Sequence, residues 1–295
     1  MEHGPTEVLV SGLGHPEGPY VLPDGRIVFA NTYFSEIGVW EEGEGKSTFA
    51  HTGGGPNACM LGSDGYVYIT QTPNVGAWSA PEFRLPSIQR SSMDGDVEIV
   101  ATEIGGISFN GPNDLTFGAD GRLYFTDSGD WEPETKPHPG YIFALDERGD
   151  GEVVEELGHV YPNGIVGEPD GSIVWVESYT LKVRRRRPDG RKEELHTLAE
   201  GHIPDGLKVA ANGDLWITTV SSGGVDVLAA DGTHKGFVAT GGVPLNIVFG
   251  GTAIYITDMG VFDTTSADVP LNGNLLRVEV GVEGMPLFTG AVGIA

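Results

Sequence analysis

Five short segments repeat one chemical idea. Pro16-Glu17, Pro56-Asn57, Pro112-Asn113, Pro162-Asn163 and Pro204-Asp205 each set a carboxylate or an amide directly behind a proline, and Leu245-Asn246 is a degenerate sixth. A turn glycine follows each at the same offset, eight residues after the acid or amide: Gly25, Gly65, Gly121, Gly171 and Gly213. Gly250-Gly251 makes a shorter turn in the sixth copy. A fold that brings these six side chains to one point assembles two carboxylates and four amides. Two carboxylates converging in a partly desolvated site repel each other, and a cation relieves that repulsion. Ligands made only of oxygen, some of them neutral, suit Ca²⁺, Mg²⁺ or Mn²⁺ rather than a soft metal. Asn and Asp also cap turns without any ligand. Glu17 is a poor turn-former, so it favours the reading of a binding ring.

The elements that must position this set are β-strands. The turns read Asp24-Gly25, Asp64-Gly65, Asp120-Gly121, Asp170-Gly171 and Asn212-Gly213, dipeptides that supply the positive φ of tight hairpins. Val, Ile, Tyr, Phe or Trp alternate in the segments that follow, 26–31, 66–71, 122–127, 172–177, 214–219 and 253–258. Further strands are predicted at 141–145 and 152–156, at 182–187 and 192–198, and at 225–229 and 235–239. Six units of about four strands, spaced by 40 to 56 residues, predict an all-β, six-bladed β-propeller of antiparallel blades. No linker or composition shift divides residues 1–295, which read as one domain. The strand at 7–11 stands to Pro16-Glu17 as other outer strands stand to the next corner, so it is expected to close the ring; 285–289 is the competitor for that slot.

In a propeller the acid or amide opens the innermost strand, so all six converge at one mouth of the central channel. The second strand returns to that mouth, which places the long insertions 72–87, 128–140 and 259–273 above it. Loops of this length in a compact domain usually bind or cover something. They carry Trp78, Phe83, Arg84, Trp131, His138 and Phe262. The expected substrate contacts are Asn57, Trp78, Arg84, Trp131 and Asn246, with aromatic rings holding the substrate and Arg84 meeting a carboxylate on it.

Composition narrows the class. The net charge is −25, from 42 acidic and 17 basic residues, which disfavours nucleic acid and anionic membranes as partners. The basic run 184–187 lies on an alternating strand and is expected to pair with acids such as Glu193 and Glu194. Cys59 is the one cysteine, which excludes an intrachain disulfide and a C-x-x-C zinc site. It sits in an apolar segment and reads as a buried thiol. No segment is apolar over a bilayer's span, and the first ten residues do not form a signal peptide, so a cytoplasmic location is expected. No serine lies in a G-x-S-x-G elbow. His15 and His202 fall on mouth-side corners within reach of a substrate.

Four of the motifs carry a resemblance. His15-Pro16-Glu17-Gly18, Phe109-Asn110-Gly111-Pro112-Asn113-Asp114-Leu115, Tyr161-Pro162-Asn163-Gly164 and Ile203-Pro204-Asp205-Gly206 resemble, in order, the metal motifs of the gluconolactonase, senescence-marker-protein (regucalcin) and luciferin-regenerating-enzyme family. Squid-type diisopropyl fluorophosphatase is similar at the same places. The resemblance implies Glu17, Asn163 and Asp205 as metal ligands, with Asn113 a fourth ligand or a catalytic contact to substrate. Animal members acting on sugar lactones carry arginine where Gly111 stands here, so a more apolar substrate is expected. The expected activity is hydrolysis of a small lactone or ester by one divalent cation, Ca²⁺ foremost, with Mg²⁺, Mn²⁺ or Zn²⁺ as alternatives. Asp205 is the candidate general base. A phosphotriesterase-type hydrolase, a metal-assisted cyclase or isomerase, and a non-catalytic metal-binding module remain alternatives, and the oligomeric state is left open.

Overall fold

The turn glycines set the strands. Gly25 and Gly65 sit at φ 91° and 81°, where a Cβ is strained. Asp24 and Asp64 accept the N–H two residues on, at 3.1 and 3.3 Å. Turns of this kind fold each inner strand onto its neighbour. The inner pairs are Pro16–Val21 with Ile27–Asn31, Gly55–Leu61 with Val67–Thr72, and Pro112–Phe117 with Leu123–Asp127. They continue with Pro162–Gly167 and Ile173–Glu177, Pro204–Val209 and Leu215–Thr219, and Pro244–Gly250 and Ala253–Asp258. Two further strands complete each sheet: Glu36–Glu41 and Gly45–His51, Ser87–Ser91 and Val97–Ala101, Gly140–Leu145 and Gly151–Gly158, Lys182–Arg186 and Lys192–Thr197, and Gly224–Leu228 and His234–Ala239.

The last blade takes Gly273–Glu279 as its third strand and the N-terminal Thr6–Leu13 as its outer one. The structure, a computed structural model whose described residues are 1, 3–261 and 271–294, is therefore a six-bladed β-propeller closed by its N-terminal strand. Blades are numbered 1 to 6 from the one that holds Glu17. The strands bury nearly every inner residue, and Trp175, Trp216, Phe117, Phe125 and Phe143 are among the largest fully buried side chains. Burial of each such side chain contributes about 1.5–3 kcal/mol.

Residues 285–289 form no strand. The C-terminal segment crosses the face opposite the mouth instead. There Met285 N–H donates to Val209 O (2.9 Å), Gly290 O accepts from Ser63 N–H (2.7 Å), and Tyr68 accepts from Val292 N–H (2.7 Å). The insertion of blade 2 folds as a small hairpin, Asn74–Val75 against Trp78–Ser79. Most of the blade 6 insertion, with Phe262, lies outside the described residues. The run 184–187 is paired as expected: Arg187 with Glu193 at 2.9 Å and Arg184 with Glu194 at 3.3 Å, while Arg185 meets Glu168 and Arg186 meets Glu155. Among the described residues no helix is long and apolar enough to cross a membrane.

Candidate functional site

The corner residues owe their aim to a defect in pairing. The ladder between first and second strands slips at or beside the acid or amide in every blade, between Glu17 and Tyr20, Pro56 and Ala58, Pro112 and Leu115, Pro162 and Ile165, Pro204 and Leu207, and Pro244 and Asn246. Such bulges re-aim side chains and leave backbone groups to be satisfied elsewhere. Threonines on the second strand fill the gap. Thr70, Thr126, Thr218 and Thr257 accept from Ala58, Asp114, Gly206 and Asn246 N–H at 2.8–3.2 Å. Thr126 and Thr218 also donate to Asn163 O and Leu245 O of the next blade, at 2.9 and 2.6 Å. The hydroxyls thus tie neighbouring blades together at the level of the ring.

Glycine follows the ring residue in blades 1, 4 and 5 because the inner strands nearly touch there. A Cβ on Gly18 would lie 2.2 Å from Ala58 Cα, one on Gly164 2.4 Å from Asp205 O, and one on Gly206 2.4 Å from Asn246 Oδ1. In blade 3 the same position is Asp114, which is buried.

Glu17, Asn57, Asn113, Asn163 and Asp205 line one cleft at the mouth, of about 680 Å³ counting its open part. All five are buried. Burial raises the pKa of Glu17, and repulsion from Asp205 raises it further. Burial likewise raises Asp205, with Asp114 adding to it. Asn113 donates its amide N–H to Ser128 Oγ (3.3 Å), and Asn163 donates to Ser178 Oγ (3.2 Å), whose O–H in turn donates to Pro204 O at 2.7 Å. Asn113 Oδ1 accepts from Asn57 at 3.0 Å. Asn163 Oδ1 has no hydrogen-bond partner although it is buried. An orphaned buried carbonyl beside two repelling carboxylates is the donor set that an oxygen-seeking cation fits. Among the described residues no three of His, Cys, Asp and Glu gather as a metal-binding group, so the amide oxygens would be needed as ligands.

Three expected contacts fall elsewhere. Asn246 does not line the cleft; the bulge turns it below the ring, where its amide meets Asp114 Oδ2 at 3.4 Å. Trp78 is buried under the hairpin, its ring 5.2 Å from that of Tyr33, because the indole is the apolar side of a two-strand ribbon and turns inward. Arg84 is exposed and paired with Glu82 at 3.0 Å. Trp131 does line the cleft, packed on Tyr161 with ring centroids 4.9 Å apart.

Other residues here carry no motif. Ser128 and Ser178 stand fifteen residues after Asn113 and Asn163, an offset the sequence shows. Asp130 lines the cleft and accepts a hydrogen bond from Gly76 N–H of the blade 2 insertion; burial holds its pKa above the usual value. His15 lines the cleft against the Tyr33 hydroxyl (3.2 Å), and burial lowers its pKa to about 4. Below the ring Lys208 Nζ lies 3.8 Å from Asp114, and burial raises the pKa of the neighbouring Cys59. His202 lies outside the cleft lining and meets Asp226 at 2.6 Å.

Comparison with known proteins bears on this geometry. A profile of the SMP-30/Gluconolactonase/LRE-like region matches residues 15–278. The chain belongs to that family. It is 25% identical to the gluconolactonase of Zymomonas mobilis over 292 residues, covering 86% of this chain and 78% of that one. Among solved structures it resembles a luciferin-regenerating enzyme at TM-score 0.80, with 17% identity over 98% of this chain and 100% of the other. It also resembles the calcium-binding regucalcin of Agrobacterium tumefaciens at TM-score 0.77, with 19% identity over 98% and 97%. At those identities the solved structures share the fold. Membership of the family supports a lactonase-type hydrolase with a small-molecule substrate.

Proposed function

We propose that this gluconolactonase-family protein opens a small lactone by hydrolysis, using one divalent cation held at the ring. The observation that carries the reading is the unpartnered Asn163 Oδ1, buried beside Glu17 and Asp205 at the floor of a cleft. Glu17, Asn163 and Asp205 would hold the cation, with Asn113 as fourth ligand or substrate contact, and Ca²⁺ is the first choice for an all-oxygen set. When bound, it would polarise the lactone carbonyl and stabilise charge developing on that oxygen.

The chain supplies the rest. Ser128 and Ser178 take the amide N–H groups of Asn113 and Asn163, which turns both amide oxygens inward; that of Asn163 is free and that of Asn113 also accepts from Asn57. Asp205, once ionised, accepts a proton from water as its oxygen adds to the carbonyl carbon. The ring C–O bond then breaks, the proton returns to the leaving alkoxide, and a hydroxy acid departs. General-base help of this kind is worth about 10²–10⁴ in rate, so Asp205→Asn should lower kcat at least a hundredfold. The test is lactone opening followed by proton release, before and after chelation and after metal is restored. Loss and recovery of turnover support the reading; full turnover in chelator, after verified metal removal, sinks it.

A further inference from the structure

The cleft above the ring has an uneven wall. Ile203, Val220 and Leu245, from blades 5 and 6, give it an apolar side, and blade 6 stands across the axis from blade 3, which supplies Asp130 and Trp131. No lysine or arginine is among the described residues that line it. Arg84, which would have met an anion, is held outside by Glu82. A bound divalent cation would offset Glu17 and Asp205, which leaves Asp130 as the carboxylate of the upper cleft, with His138 and Glu132 near it. Gly76 N–H uses one of its acceptor positions, and a carboxylate offers about four. Beside it the Trp131 ring packs with Tyr161 and Tyr179, centroids 4.9–5.1 Å apart, and aromatic surfaces favour cations over anions.

Resting on the lactonase reading, we infer that the substrate is an amphipathic lactone carrying a hydrogen-bond donor, an ammonium group best and a hydroxyl next, which Asp130 receives, and that carboxylate-bearing lactones are rejected. Asp130 is then the specificity-determining residue of the upper cleft. A carboxylate placed there meets a like charge with no lysine or arginine in the lining to answer it, and rejection of this kind discriminates strongly.

Four lactones of matched size test this, bearing an alkyl, hydroxyl, amino or carboxyl substituent. In the wild type kcat/KM should fall in the order amino, hydroxyl, alkyl, carboxyl, with amino over carboxyl at least about a hundredfold. In Asp130→Asn the amino-to-carboxyl ratio should shrink to within about fivefold, whatever the absolute rate. A purely structural role for Asp130 would move all four together and keep the ratio, and that result overturns the proposal, as does a carboxyl lactone equal to or better than the amino one. The matching lactams resist hydrolysis and report binding alone by calorimetry. If no lactone is turned over, the lactonase reading fails. The lactam order still decides the present inference: amino over carboxyl upholds it, and a flat or reversed order refutes it.

Discussion

Glu17→Gln should raise stability without metal and forfeit most of the stabilisation that metal gives. Glu17 is 4% exposed. Burial, repulsion from Asp205 and then Asp114 all disfavour its ionised form; Gly18 N–H at 3.0 Å and Asn246 favour it. Glutamine keeps an oxygen for Gly18 and removes the charge, which relieves about 1–3 kcal/mol in the metal-free protein. At about 2–4 °C per kcal/mol for a chain of this size, Tm in chelator should rise by roughly 2–12 °C. Calcium at a hundred times the wild-type Kd stabilises the wild type by about 2.7 kcal/mol. If the variant binds about a hundredfold more weakly, the same calcium yields only about 0.4 kcal/mol. Scanning calorimetry of both proteins, in chelator and in calcium, reads all four values. A variant that is less stable in chelator, with its calcium shift intact, would refute both the burial of an uncompensated charge and the ligand role.

Ser178→Ala leaves the Asn163 amide and Pro204 O without their buried partner. It should destabilise by about 1–3 kcal/mol and weaken metal binding about tenfold or more by calorimetric titration, since the amide is then free to turn its nitrogen inward. The two tryptophans should separate. Trp78→Ala should lower stability by about 3–5 kcal/mol in denaturant melts, whereas Trp131→Ala should lower kcat/KM about ten- to a hundredfold with a much smaller change in Tm. Asp127 clamps the corner before Asn113, accepting from Asn110 and Gly111 N–H at 2.9 and 2.8 Å, and burial raises its pKa from 3.8 to about 6. The folded protein therefore holds that proton more tightly than the unfolded chain. The linked stability is full below about pH 4 and is lost as pH rises through about 6, a change of about 3 kcal/mol. Asp127→Asn should remove that component from the pH dependence of unfolding, measured as the wild-type-minus-variant difference.

The ring was legible because a propeller turns one repeated position into one place: a corner residue that recurs before each Asp-Gly hairpin must converge with its copies. The N-terminal closure followed from the same repeat. What lay outside the repeat was not legible. Asp114 reads as one more strand residue, and only the bulge behind Pro112, together with glycines at the matching positions of blades 1, 4 and 5, gives its carboxylate a place beside the channel. Trp78 and Arg84 sit on an insertion without periodicity, where nothing in the sequence says which side of a two-strand ribbon faces in. Ser128 and Ser178 were within reach, since their fifteen-residue offset repeats, yet a serine at a strand end carries no signal until its amide partner is known.

The most direct measurement is anomalous diffraction from crystals equilibrated with Mn²⁺ as a calcium substitute. A single strong peak bounded by oxygens of Glu17, Asn163 and Asp205, lost in Glu17→Gln crystals, is expected. Saturating metal with no peak at the ring, or a peak only on the outer carboxylates, would contradict a cation at the mouth of this propeller.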